Sequence, residues 1–84
     1  MRFEELPTSQ KASIDLHGLT VDEAEMQLID FLEGLPKGVR MAEVTHGYSR
    51  GTALKSMVKN TFHHYKITDK RVGLNPGVTY FLLK

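Results

Sequence analysis

Asp15 and His17 stand two residues apart in Ser13-Ile14-Asp15-Leu16-His17, a run that alternates apolar and polar residues. Such alternation is typical of a half-buried strand. It predicts Asp15 and His17 on one face, with Ile14 and Leu16 turned to the core. A carboxylate beside an imidazole can hold one tautomer of the ring and stabilise its cation. The histidine can then move a proton near neutral pH. A second histidine, His46, ends another apolar run, so either His17 or His46 could be the one that moves it. The same residues, Asp15 with one or both histidines, could instead bind a divalent metal that activates water. The residue types leave both chemistries open.

The second motif is the loop His46-Gly47-Tyr48-Ser49-Arg50-Gly51-Thr52. Gly47 and Gly51 let the backbone approach a phosphate closely. Arg50 offers a planar fork of donors that suits phosphate oxygens. Tyr48 could stack on an unpaired base. The helix expected to follow would present free N–H groups at its start, beside Ser49 and Thr52, and would carry Lys55 and Lys59 one turn apart. Gly47, Tyr48, Ser49, Arg50, Gly51, Thr52, Lys55 and Lys59 are therefore the candidate phosphate-binding set. Each residue also has a local reading. Asp15 can be a solvent-facing strand residue, His17-Gly18 and His46-Gly47 can be plain turns, and Tyr48 can pack locally. Gly51-Thr52 can be a helix cap. His63-His64 falls at an expected helix end, where a cation suits the dipole, and is assigned no catalytic role.

Positioning these residues requires strands that end where the motifs begin. Residues 1–12 are polar and aperiodic and read as an arm or linker; residues 13–84 read as one domain. After the first strand, Thr20 fits an N-cap and Glu23 a capping box. Val21, Ala24, Leu28, Phe31, Leu32 and Leu35 form one apolar helical stripe, closed by Gly34, Pro36 and Gly38. Val39 to Thr45 reads as a second strand. Ala53 to about Tyr65 reads as a second helix, with Leu54, Met57, Val58, Phe62 and Tyr65 inward. Lys66 to Leu74 reads as a third strand. Asn75-Pro76-Gly77 is a turn, and Val78 to Leu83 is a final strand apolar on both faces and hence central or covered. The expected architecture is βαβαββ: a two-layer α/β sandwich, with a four-stranded mixed sheet and two helices on one face. A β-helix-β start implies parallel first and second strands. Both motifs then fall at the carboxyl edge of the sheet, where open α/β sheets collect ligands.

Composition bounds the remaining possibilities. With 84 residues, 40% apolar and 25% charged, the chain is a single globular domain near the lower size limit for a core without staples. It has no cysteine, no apolar run long enough to span a membrane and no signal-peptide core at its start, so a cytoplasmic setting is expected. The net charge of +1 conceals a division: residues 1–35 hold eight acids and two bases, residues 36–84 nine bases and two acids. One face would repel a polyanion and the other attract it, unless the two halves simply complement each other.

Ile14-Asp15-Leu16-His17-Gly18-Leu19-Thr20 followed by Glu23-Ala24 resembles the opening motif of Smr (small MutS-related) domains, LDLHG with a TxxEA helix start. His46-Gly47 is similar to the second motif, HGxG or TGxG. Gly77-Val78-Thr79-Tyr80-Phe81-Leu82 resembles the closing strand. The likeness spans Ser13 to Lys84. It implies a βαβαββ fold and binding to DNA or RNA, with endonuclease or nicking activity in some members, in DNA repair or RNA processing. It also implies functional roles for Asp15, His17, His46 and Gly47. Ser49 stands where the family has its second glycine, as in a short stand-alone variant with an HGYxxGT loop. The alternatives to a nuclease are a non-catalytic DNA- or RNA-binding module and a protein-interaction domain using the acidic first helix.

Overall fold

Thr20 closes a capping box. In the computed structural model, which describes residues 10–47, 53–73 and 75–84, the Thr20 hydroxyl accepts the Glu23 N–H at 3.2 Å. The Glu23 carboxylate accepts the Thr20 N–H at 3.0 Å. Two of the orphan donors at the helix start are thereby satisfied. Helix α1 (Val21–Glu33) begins there and buries Ala24, Leu28 and Leu32. Thr20→Ala should cost about 1 kcal/mol and lower the melting midpoint by roughly 4–8 °C, read by circular dichroism.

Strands β1 (Lys11–Asp15), β2 (Met41–Thr45), β3 (Ile67–Val72) and β4 (Val78–Leu83) form one sheet in the order β1-β2-β4-β3. β1 and β2 run parallel, and β4 runs antiparallel to both its neighbours. This is the expected βαβαββ order and mixed sheet. The register puts Ala12, Ala42 and Phe81 side by side, and likewise Ile14, Val44 and Thr79. These positions share one face, and they join Leu28, Leu32, Met57 and Val58 of the helices in one core. Ser13, Asp15, Glu43, Thr45 and Tyr80 lie on the other face, which no described helix covers.

The bounds differ from the sequence expectation in instructive places. β1 runs Lys11–Asp15 rather than from Ser13 to His17, because Lys11 already pairs with Met41. His17 follows the strand in a turn closed by the Leu19 N–H on the Leu16 carbonyl, 3.2 Å, with Gly18 at φ 83°. β2 and β3 are shorter than expected at their ends, and Leu74 lies outside the described residues.

The largest correction is the second helix. Helix α2 covers Ala53–Ser56 and continues as a π-helical turn, Met57–Thr61, instead of reaching Tyr65. The Phe62 N–H bonds the Met57 carbonyl at 2.7 Å, and Phe62 is itself extended. Lys70, reaching over from β3, donates its ammonium to the Lys59 and Phe62 carbonyls. Those are the acceptors a helix leaves open at its end, and a cation there also suits the dipole. Tyr65 is consequently 68% exposed, off the apolar stripe to which its spacing had assigned it. A second lysine, in the turn just ahead of β3, does the same for α1. That helix has no basic residue in its last turn, and Lys66 donates to the Leu32 carbonyl at 2.7 Å. His64 completes this junction: its Nδ1 accepts the Lys66 N–H, and its Nε2 lies 3.5 Å from the Glu33 carboxylate. No described helix is long and apolar enough to cross a membrane.

Candidate functional site

Parallel pairing brings the carboxyl ends of β1 and β2 together. Asp15 is in register with Thr45, and the Leu16 N–H reaches the Thr45 carbonyl at 2.7 Å. A Cβ placed on Gly47 would stand 3.6 Å from the His17 Cβ. Asp15, His17, His46 and Gly47 therefore lie at one edge of the sheet. Tyr48, Ser49, Arg50, Gly51 and Thr52 lie outside the described residues. Lys55 and Lys59 are half-buried on α2 and its π-helical continuation.

Asp15 and His17 form a tight local pair. One carboxylate oxygen of Asp15 accepts the His17 backbone N–H at 3.0 Å and His17 Nδ1 at 2.6 Å. The first contact is a side-chain-to-backbone turn of the kind aspartate makes with the residue two positions on. The second fixes the ring, because a carboxylate only accepts, so Nδ1 carries the hydrogen. In the neutral imidazole the lone pair is then on Nε2. The His17 side chain is 72% exposed, so that nitrogen is available to a ligand. The hydrogen bond from the His17 ring, and next that from its backbone N–H, hold the Asp15 carboxyl below its ordinary range. The ionised pair thus favours the folded state above the ordinary carboxylate pKa of about 3.9, and that contribution is lost as pH falls through the lowered value.

His46 is placed differently. It continues the alternation of Ala42 and Val44 toward the helix-covered face and is 3% exposed. Its Nδ1 is 2.9 Å from the Gly47 carbonyl and its Nε2 2.9 Å from the Thr79 hydroxyl. Both ring nitrogens are thus engaged inside the core, whereas His17 stands in solvent with Asp15. The edge is shared by the two histidines, but the face is not. For a metal, this separation leaves Asp15 and His17 as the two exposed donors, and His17 Nδ1 is already bonded to Asp15. No group of three or more His, Cys, Asp or Glu among the described residues could hold a metal ion. The loop 48–52 contains none of these residue types. The donor set of the described residues does not fit a closed cation site.

Two of the nine bases in the second half are already engaged at helix ends, Lys66 and Lys70, and Arg71 pairs with Asp69 at 2.9 Å. The charge division seen in the sequence therefore serves internal complementarity at these three positions. Sequence reasoning missed Thr79 and Gly77. The Gly77 carbonyl accepts both the His46 and Gly47 N–H groups, at 2.9 and 3.0 Å. A threonine among the apolar and aromatic residues of Val78–Leu83 was the available signal for Thr79, since a buried hydroxyl requires a partner.

Comparison with known proteins agrees with this fold. The family model for the Smr domain matches residues 14–84. Among solved structures, the chain is similar to one described as the crystal structure of the Smr domain of Thermus thermophilus MutS2. The TM-score is 0.78 at 24% identity, over 87% of this chain and 98% of that one. At that identity the likeness shows the fold. No curated protein sequence matches the chain.

Proposed function

The chain belongs to the Smr domain family, whose members bind nucleic acids and in some cases nick them, and on that premise we propose that it is a nucleic-acid endonuclease whose reacting group is His17, oriented by Asp15. The observation that carries this reading is the 2.6 Å contact between Asp15 and His17 Nδ1, which leaves Nε2 open to solvent. One exposed base, with no metal-ligating cluster beside it among the described residues, suits RNA better than DNA, because RNA carries its own nucleophile. His17 Nε2 takes the proton of a ribose 2′-hydroxyl. The 2′-oxygen forms its bond to phosphorus, the bond to the 5′-oxygen breaks, and solvent protonates the departing oxygen. Asp15 stabilises the imidazolium formed in that step. His46, held through both nitrogens, has a supporting place in this scheme.

The test is incubation of the purified protein with end-labelled single- and double-stranded RNA and DNA, with and without EDTA. Cleavage of RNA that survives EDTA and leaves a 2′,3′-cyclic phosphate is the expected result. Cutting of DNA to a 5′-phosphate would keep the nuclease and reject this chemistry. Binding without cutting would favour the non-catalytic module.

Arg50, Lys55 and Lys59 are proposed to hold the phosphate backbone. Lys55→Ala with Lys59→Ala should weaken binding alike for all sequences and reduce the slope of log affinity against log salt by up to about 1.4, at roughly 0.7 per phosphate contact on a single strand. Fluorescence anisotropy across a salt series measures both. An unchanged slope would point to another surface.

A further inference from the structure

Thr79 and His46 are a buried polar pair in a core otherwise built of Leu, Val, Ala, Met and Phe. Thr79 is 1% exposed and lies opposite Val44 in the sheet register. Burying two polar side chains costs free energy unless each is fully hydrogen-bonded, and apolar residues would pack the same space without that cost. The pair is fully bonded, and its bonds lead outward. A carbonyl can only accept, so the 2.9 Å contact with Gly47 requires the hydrogen on His46 Nδ1. In the neutral ring, Nε2 then accepts from the Thr79 hydroxyl at 2.9 Å. The Gly47 peptide groups are held from both sides: its carbonyl by His46, its N–H by the Gly77 carbonyl at 3.0 Å. Gly47 has φ 76°, the left-handed region open chiefly to glycine, and a Cβ placed on it would stand 3.6 Å from the His17 Cβ.

We propose that Thr79 and His46 are positioning residues for His17: the Thr79 hydroxyl fixes the His46 tautomer, His46 Nδ1–H fixes the Gly47 carbonyl, and the Gly47 backbone so held limits the space beside the His17 Cβ. The chain runs from the helix-covered core to the exposed His17 at the carboxyl edge of the sheet. It rests on the reading that His17 is the reacting group.

The experiment combines ring ¹⁵N spectroscopy with kinetics. In the parent protein, His46 should show the Nδ1–H tautomer; an Nε2–H tautomer overturns the proposal without any variant. Thr79→Val keeps the shape and removes the hydroxyl, while Thr79→Ser keeps the hydroxyl. In Thr79→Val the Gly47 amide and His17 ring resonances should move. With labelled RNA, kcat should fall by at least about 10-fold and KM stay within about twofold, since small misplacements near a reacting group cost up to about 10²-fold. Thr79→Ser should restore both the resonances and kcat. A folded Thr79→Val protein with unmoved His17 resonances and parental kcat overturns the proposal and leaves the pair a packing feature. If the parent protein cuts no nucleic acid, the nuclease reading fails, and the tautomer and the resonance shifts still decide the positioning chain.

Discussion

Asp15→Asn should cut labelled RNA about 10²–10⁴-fold more slowly than the parent protein, the range a positioned acid or base contributes, while binding and melting nearly as the parent does. Asparagine keeps the oxygen that accepts the His17 N–H and ring hydrogen, so the turn after β1 should persist. What it removes is the negative charge. The His17 contacts hold the Asp15 carboxyl below its ordinary range, so the charge is present throughout the pH range in which a histidine gains and loses its proton. Without it, the imidazolium formed as His17 takes a proton loses its stabilising partner. Binding should survive, because a carboxylate adds nothing attractive toward a phosphate. Single-turnover cleavage and anisotropy together measure the two effects. Normal cutting by Asp15→Asn would remove Asp15 from the chemistry, and unfolding would make it a structural residue.

Phe81→Ala should destabilise the domain by about 3–5 kcal/mol, the usual cost of emptying a buried aromatic site. Phe81 is fully buried in β4, which has a neighbour on either side. Its ring stacks on Phe62 with centroids 6.0 Å apart and lies 5.5 Å below the Lys70 ammonium. The substitution therefore removes the floor beneath the residues that end the second helix. Domains of this size have about 5–15 kcal/mol in total, so much of the stability would be lost. The melting midpoint should fall by at least about 12 °C, at roughly 4–8 °C per kcal/mol. A fall of only two or three degrees in a calorimetric scan would mean that Phe81 is not the centre of this core.

Features carried by neighbouring residues were legible from the sequence. The Thr20–Glu23 box was one, because both partners lie within one helical turn. The bounds of β4 were another, because Asn75-Pro76-Gly77 immediately precedes Val78. Features carried by distant partners were not. The spacing of Leu54, Met57, Val58, Phe62 and Tyr65 suits a helix to the end. The helix stops early where Lys70, on another strand, takes its last carbonyls. For the same reason the charge division left the role of Lys66 and Lys70 open, and only the fold places them at helix ends. At the site, the edge was legible and the face only partly so. Alternation placed Asp15 and His17 together. For His46 the period was masked, because Met41 and Ala42 are adjacent and both buried. Only the register with β4 shows that Ala42, Val44 and His46 turn toward Phe81 and Thr79.

The central claim is that His17 is the group that moves the proton. Its most direct test is chemical rescue: the rate at which a folded His17→Ala protein cuts labelled RNA, measured in EDTA with and without imidazole in the buffer. The predicted result is a loss of about 10²-fold or more, partly reversed by imidazole, which can occupy the space vacated by the ring beside Asp15. A folded His17→Ala protein that cuts at the parental rate would contradict it.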